Sequence, residues 1–196
     1  PQRPRIIPGK STGCGTHGME MGYVESRYKH WLAMDRAKKK VDEIDKEFAD
    51  YFGRSYGGQI EEYRMDDAEI AILASGSAAG TAKTVIDAKR EEGLKVGLVK
   101  LRLYRPFPEE RLVQAFKGKK AIGVIDRSIS FGWKAGPMAV ELKALCGKLG
   151  NIPILSYIDG LANLDINIPH INRVVDEVSA AAKGKPYQEV TWIPLE

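Results

Sequence analysis

The spacing of apolar residues changes once along this chain, and the change separates two kinds of element. Between Ser26 and about Phe52 apolar residues recur every three or four positions, which is typical of one face of an α-helix. Ser26 is the expected N-cap of this helix, and Gly53 is its expected C-terminal stop. The apolar stripe consists of Trp31, Met34, Ala37, Val41, Ile44, Phe48 and Tyr51. The stripe is long for one small domain, so we expect part of it to face a partner.

Beyond residue 67 short apolar runs alternate with amphipathic segments. The apolar runs predict strands at 68–74, 95–103, 120–126 and 152–158, and the amphipathic segments predict helices at 77–92, 109–116, 138–148 and 169–182. Near-continuous apolar strands separated by helices favour a mainly parallel sheet covered on both faces, in a doubly wound α/β domain. The tail "EVTWIP" is expected to add a short edge strand.

These patterns divide the chain into three regions. Residues 1–25 are rich in Pro, Gly, Ser and Thr and predict an irregular arm, which would make sense if it crosses onto another domain or subunit. Residues 26–66 are expected to form the long leading helix and a linker with paired glycines, and residues 67–196 the α/β domain. Because the chain begins with Pro1 rather than Met, we expect a processed or excised piece of something longer.

Composition and charge exclude several classes of protein. The 196 residues are 43% hydrophobic, and 30 Lys and Arg against 26 Asp and Glu give a net charge of +4. Most charges alternate in sign, which is typical of a solvated helix face rather than of a nucleic-acid-binding stripe. No apolar stretch approaches the roughly 20 residues that span a bilayer. The chain is therefore expected to bind neither nucleic acid nor membrane.

Cysteine and histidine usage argues against a metal site built by this chain alone. The two cysteines, Cys14 and Cys146, lie far apart and form no CxxC pair, so neither a zinc site nor an iron–sulfur cluster is expected. His17 with Cys14 resembles half of a metal site, but no second pair exists. Free cysteines fit a reducing compartment, and we expect the cytoplasm.

In an open parallel sheet ligands bind beyond the carboxyl ends of the strands, where residues 75–80, 103–108, 126–136 and 159–165 are expected to converge. Gly76 and Ser77 suggest two interpretations. They could form a phosphate cradle at a helix start, or a tight corner in which Gly76 permits the turn and Ser77 caps the helix. The stretch lacks the Gly-Lys-Ser/Thr ending of a P-loop and does not match GxGxxG, which favours the corner.

The segment "DRSISFGWKAGP" concentrates polar residues after a strand. Asp126, Arg127, Ser128 and Ser130 are candidates for a ligand site, but they could equally form a self-satisfied loop in which Asp126 accepts backbone N–H bonds and Arg127 pairs with a carboxylate. Arg105, with Arg102 nearby, could grip an anion or lie in an interface. No nucleophile elbow or complete catalytic set is present, so no catalytic residue is predicted.

Two stretches resemble a known family. "EGLKVGLVKLRLYRPFP" and "DRSISFG" resemble the C-terminal part of the alpha subunit of the 2-oxoacid:ferredoxin oxidoreductases, especially the pyruvate enzymes, and the resemblance covers roughly residues 25–180. It implies a transketolase C-terminal-like domain. One departure is Ala135, where the family often has a second glycine.

The resemblance implies a function that this chain would share with other polypeptides. The family decarboxylates a 2-oxoacid on thiamine diphosphate, with Mg²⁺, transfers the acyl group to coenzyme A and passes electrons through [4Fe–4S] clusters to ferredoxin. The diphosphate-binding GDG motif and the cluster cysteines are missing from this sequence, so these cofactors are expected elsewhere in an oligomeric complex. The chain would be an architectural and interface part that lines the substrate or coenzyme A approach.

Two alternatives stay open at this point. The chain could be an independent nucleotide- or phosphate-binding module that uses residues 75–80. It could also be the C-terminal domain of another transketolase-like or E1-type enzyme, with the same fold but no ferredoxin chemistry.

Overall fold

Six strands form one sheet, and the helices that connect them pack on both of its faces. The computed structural model describes residues 20–193 and 195. The strands are β1 (Ile60–Tyr63), β2 (Ile70–Ser75), β3 (Val96–Leu101), β4 (Ala121–Asp126), β5 (Ile154–Ile158) and β6 (Val190–Trp192). The helices are α1 (Glu20–Phe52), α2 (Ala78–Glu91), α3 (Glu109–Phe116), α4 (Pro137–Lys143), α5 (Cys146–Leu149) and α6 (Ile168–Ala182).

The strand order is β1-β3-β2-β4-β5-β6, and every neighbouring pair is parallel except β1 with β3. From β2 the chain passes through α2 to β3 on one side, and then through α3 back to β4 on the other side. The strand order therefore reverses between β2 and β4, and the crevice at their carboxyl ends is the usual place for a ligand in such sheets. The predicted doubly wound α/β fold is confirmed.

The sheet separates two apolar cores. On one face α2 and α6 cover the strands, with Val85, Ile86 and Val174 fully buried. The other face is covered by α3, α4 and α5, where Phe116 and Leu142 are fully buried. Alternate residues along each central strand point into opposite cores, which explains why these strands read as continuous apolar runs.

The long leading helix differs from its prediction at the start and agrees at the end. The α1 helix already includes Glu20, so residues 20–25 are helical rather than part of an irregular arm. Ser26 is therefore an interior residue and not an N-cap, and the ion pair between Glu25 and Lys29 bridges one turn of helix around it. Gly53 ends the helix as predicted, with a φ of +67°. The rest of the predicted arm, residues 1–19, lies outside the described residues.

The polar contacts of the α1 helix with the sheet domain lie in its C-terminal half. Asp42 accepts a hydrogen bond from Gln59 at 2.6 Å, and Lys38 pairs with Glu110 of α3 at 3.1 Å. Earlier in the helix Tyr23 and Trp31 are 54% and 65% exposed. It remains a prediction that a partner covers this part of the apolar stripe.

Two further elements differ from the sequence analysis. The segment 53–66, treated there as a linker, contains β1, which pairs antiparallel with β3 and buries Ile60. The single helix predicted for 138–148 is two, because Leu145 leaves helical geometry at φ −92° and ψ 1° between α4 and α5. The predicted edge strand is confirmed as β6. In the part of the chain that the structure describes, no helix has the length and apolar content to cross a membrane.

Candidate functional site

A polar corner of the fold lies where β4 ends and α4 begins. Asp126 is 2% exposed, and its carboxylate accepts hydrogen bonds from the backbone N–H of Met138 at 3.0 Å and of Ala139 at 3.1 Å. Gly136 lies against this carboxylate, and a Cβ at that position would come within 2.3 Å of Asp126 Oδ2. The Gly136 N–H donates to Ser156 Oγ at 3.0 Å. Together these bonds fasten the start of α4 to the end of β4 and to the middle of β5.

Burial dominates the electrostatics of this corner. It raises the pKa of Asp126 from the ordinary 3.8 to about 6, although the two backbone hydrogen bonds to the carboxylate lower it in part. Among the described residues no cationic side chain forms an ion pair with Asp126, so nothing with a full positive charge offsets the desolvation. Asp126 is therefore bound to the backbone of its own corner, as the self-satisfied interpretation of this loop expected.

The loop after Asp126 presents its side chains outward. The loop is closed by backbone bonds from Ser130 to Ala135 at 3.1 Å and from Trp133 to Ser130 at 2.9 Å. Ala135 is buried, whereas Phe131 and Trp133 are 92% and 69% exposed. Among the described residues the hydroxyl groups of Ser128 and Ser130 make no hydrogen bond. Between this loop and β6 lies a cleft of about 740 Å³ that Phe131, Trp133 and Trp192 help to line.

The two candidate arginines are fixed in different ways. Arg127 Nε donates to the carbonyl of Gly160 at 3.0 Å, so the predicted pairing with a carboxylate is wrong. The exposed Arg127 has no other hydrogen bond within the described residues. Arg105 pairs with Glu141 of α4, and its guanidinium lies 4.3 Å from the ring centroid of Tyr104. Arg105 and Asp126 are thus both bound to α4, while Arg127 lies toward β5.

Arg102 does not join this group. Its Nη1 donates to the carbonyl of Tyr56 at 2.7 Å, and its guanidinium stacks 4.9 Å from the centre of the Tyr56 ring. It therefore holds the segment that leads into β1.

The corner between β2 and α2 has the backbone of a tight turn. Gly76 has a φ of +59°, and nothing lies within 4 Å of the position its Cβ would take. Ser77 stands at the N-cap but makes no capping hydrogen bond, so the predicted side-chain cap is wrong. The reason is that Ser77 already has helical φ and ψ of −70° and −29°, whereas a capping side chain needs extended backbone. Ala78 and Ala79 are buried, which lets α2 approach the sheet closely.

One pair of polar residues was not recognised in the sequence. Asp159, directly after β5, is fully buried; its Oδ1 accepts from the backbone N–H of Gly160 at 2.7 Å, and its Oδ2 lies 2.9 Å from Nδ1 of His170. The available signal was an aspartate ending an apolar run, as at Asp126. Among residues 20–193 no group of three His, Cys, Asp or Glu side chains is arranged to hold a metal ion.

Comparison with known proteins gives consistent matches. The family described as pyruvate:ferredoxin oxidoreductase core domain II matches residues 68–171. The chain is 42% identical to the alpha subunit of NADH-dependent phenylglyoxylate dehydrogenase from Aromatoleum evansii, over 94% of this chain and 44% of that protein. It is 36% identical to the pyruvate synthase subunit PorA of Methanocaldococcus jannaschii, over 100% of this chain and 49% of that protein. The chain thus spans about half the length of these relatives.

A solved structure shares the fold alone. A split-gene transketolase, described as an inactive beta4 tetramer, superposes with a TM-score of 0.51 at 13% identity, over 62% of this chain and 42% of that one. This likeness confirms a transketolase-like α/β architecture.

Proposed function

We propose that this chain is the C-terminal structural and interface part of a 2-oxoacid:ferredoxin oxidoreductase. The premise is that the chain belongs to the pyruvate:ferredoxin oxidoreductase core domain II family. The complete enzyme would convert a 2-oxoacid and coenzyme A into acyl-CoA, CO2 and reduced ferredoxin. The observation that carries the proposal is the alignment of the whole chain with a pyruvate synthase subunit at 36% identity.

The substrate is proposed as a class. Pyruvate and phenylglyoxylate, named for the two relatives, are both 2-oxoacids that differ in the group attached to the carbonyl carbon. Pyruvate is our first candidate, because pyruvate synthase subunits recur among the relatives. The phenylglyoxylate relative is named as NADH-dependent, so the electron acceptor has to be measured together with the 2-oxoacid.

The residues of this chain do not fit the cofactors that such chemistry uses. The sequence lacks the GDG motif that holds thiamine diphosphate, and its two cysteines are too few for a [4Fe–4S] cluster, which takes four. We propose that thiamine diphosphate, Mg²⁺ and the clusters bind to other domains or subunits of a cytoplasmic oligomer. This chain then contributes shape and contact surface.

The outward side chains around the β4–α4 corner are the proposed contact surface. Arg127, Ser128 and Ser130 offer hydrogen-bond donors that the described residues leave unused, and we propose that they line the approach of the 2-oxoacid or coenzyme A. Asp126 would shape this loop from behind, and Arg105 would tie the neighbouring loop between β3 and α3 to α4 through Glu141. The exposed Phe131 and Trp133 favour a neighbouring apolar surface over water.

The test is purification of the tagged chain from its own cells, followed by an activity assay. We expect it to co-purify with polypeptides that carry GDG and CxxC motifs. The complex should reduce ferredoxin when given pyruvate or another 2-oxoacid together with coenzyme A, and the same assay with NAD⁺ identifies the acceptor. A stable chain purified without partners, which binds ADP or coenzyme A tightly in calorimetry, would instead favour an independent nucleotide-binding module.

A further inference from the structure

The pair formed by Asp159 and His170 lies at the carboxyl edge of the sheet and has no role in the proposed contact surface. Asp159 ends β5 and is 0% exposed, whereas the His170 side chain is 27% exposed at the start of α6. The two residues are held together by the 2.9 Å contact between Oδ2 and Nδ1. A buried carboxylate behind a partly exposed imidazole is an arrangement that orients a histidine for proton exchange.

Two independent contacts determine which ring nitrogen carries the proton. An ionised carboxylate can only accept hydrogen bonds, so Nδ1 must carry a hydrogen that it donates to Asp159. On the other side of the ring, Asn167 caps α6 by accepting the backbone N–H of His170 at its Oδ1, at 3.0 Å. That bond fixes the amide orientation and places Asn167 Nδ2, a donor, 3.4 Å from His170 Nε2. Both contacts therefore leave Nε2 unprotonated, and its lone pair meets only the long 3.4 Å contact with Asn167 Nδ2.

The pair is joined to the candidate contact surface through one glycine. Gly160 donates its N–H to Asp159 Oδ1 and accepts from Arg127 Nε at its carbonyl, at 2.7 and 3.0 Å. A Cβ on Gly160 would come within 2.7 Å of Ile166 and 3.0 Å of Arg127 Nε, so this close approach needs glycine. Asp159 also extends the sheet, since its N–H bonds to the carbonyl of Asp126 at 3.0 Å.

We propose that Asp159 and His170 form an acid–base pair that serves a ligand bound at this edge of the sheet. An O–H, N–H or S–H group of the ligand replaces the long Asn167 contact and gives its proton to His170 Nε2. The electron pair of the broken bond stays on the ligand atom. The resulting imidazolium is stabilised by the Asp159 carboxylate, and the proton returns by the same route. Asp159 acts as the positioning residue. This inference rests on the proposed function for the identity of the ligand, but not for the existence of the pair.

The elements around the pair carry further charged groups. Arg127, at the end of β4, donates to the carbonyl of Gly160, the residue next to Asp159. Arg173, one turn further along α6, is neutralised by Glu177 at 2.7 Å. Asp165 is exposed in the loop between β5 and α6. The carboxylate of Asp159 is the group in direct contact with the ring, so it decides the orientation and tautomer.

The first test measures the tautomer by the ¹⁵N chemical shifts of the histidine rings in the full chain. We expect His170 to be protonated at Nδ1 near neutral pH. In Asp159→Asn the single acceptor oxygen is required by Gly160, so the amide NH₂ group faces Nδ1 and cannot accept its hydrogen. The ¹⁵N shifts of the His170 ring should therefore move away from their wild-type values. His30, exposed on α1 and without a hydrogen bond among the described residues, is the internal reference and should not change. A wild-type His170 protonated mainly at Nε2 overturns the proposal.

The second test measures the assembled enzyme. His170→Gln is expected to lower turnover by roughly 10² or more, as for loss of a general base, and to remove the acidic limb from the pH profile, while His30→Gln leaves both unchanged. Since His170 is partly exposed, the substitution is compatible with folding, which circular dichroism verifies. Unaltered turnover and pH profile in His170→Gln overturn the proposal even if the enzyme proves to be a 2-oxoacid oxidoreductase. If wild type oxidises no 2-oxoacid, the proposed function fails, and the tautomer still decides whether the pair exists.

Discussion

Two corners of the fold, β2–α2 and β4–α4, flank the same crevice but are built in opposite ways. The β2–α2 corner has the small residues typical of a phosphate-binding turn, yet Gly76 and Ser77 are exposed and contact little. The β4–α4 corner has the less familiar composition, and it buries a carboxylate bound by two backbone N–H groups. The difference teaches that glycine near a strand end indicates backbone geometry first. A buried polar group with specific hydrogen-bond partners is the better indicator of a corner whose geometry is fixed by side-chain contacts.

The strongest test of this comparison is to replace one glycine in each corner by alanine, which adds a methyl group. Gly136→Ala is expected to lower the free energy of unfolding by roughly 4 kcal/mol, because the new Cβ overlaps the Asp126 carboxylate and displaces its backbone hydrogen bonds. Gly80→Ala, in the first turn of α2 with open space around it, should instead stabilise by about 0.5 kcal/mol. Urea unfolding measures both. Equal effects of the two substitutions would contradict the contrast.

The pH dependence of stability should come from the β4–α4 corner. Because the pKa of Asp126 is raised to about 6, the folded state binds this proton more tightly than the unfolded state does. The contribution to stability is therefore fully present below about pH 4 and is lost as the pH rises to about 6. The shift from 3.8 to about 6 corresponds to about 3 kcal/mol.

The measurement is the difference in unfolding free energy between wild type and Asp126→Asn from pH 4 to 7, since asparagine does not titrate. As the pH rises, the unfolding free energy of wild type should fall relative to that of Asp126→Asn. A difference that is constant over this range would show that Asp126 is ionised as easily in the folded chain as in the unfolded one.

At the β2–α2 corner a smaller effect of purely conformational origin is expected. Gly76→Ala should cost about 1 kcal/mol, because an L-residue is strained at a φ of +59° although its Cβ meets no atom. Gly76→Asn should cost less, since asparagine tolerates left-handed backbone. Thermal unfolding of the three proteins gives this order. An asparagine variant less stable than the alanine variant would show that side-chain space, not backbone, limits this turn.

The smallest effect is expected at Ser77. Ser77→Ala should change stability by less than about 0.5 kcal/mol, because the exposed hydroxyl makes no capping bond. The matched control is Ser156→Ala, which should cost about 1–2 kcal/mol by leaving the N–H of Gly136 without its acceptor. Chemical denaturation compares the two. A loss above 1 kcal/mol at Ser77 would mean that the hydroxyl caps α2 in solution.

The sequence predicted the central strands well because each is an apolar run buried on both faces. It missed β1, whose four residues include Glu61 and Glu62 and have only Ile60 as a buried anchor. This segment forms a strand because it pairs with β3, which lies far from it along the chain. The polar loop after Asp126 was visible as a local change in composition.

The partnership of Asp159 with His170 could not be predicted in the same way. The two residues are separated by a loop, and only the direction in which α6 leaves that loop brings the imidazole to the carboxylate. The capping role of Ser77 failed for a related reason, since it depends on one backbone angle. The local sequence predicts which segments form helices and strands. Contacts between these segments depend on how the fold positions them relative to one another.

The antiparallel strand β1 also bears on how the protein behaves at high concentration. An exposed sheet edge can recruit strands from other molecules, and this leads to aggregation. Here the outermost strand at one side carries Glu61 and Glu62, and at the other side β6 has only three residues. The charges on β1 disfavour pairing at one edge of the sheet, and the short length of β6 disfavours it at the other edge. The sheet therefore carries little risk of stacking edge to edge onto copies of itself.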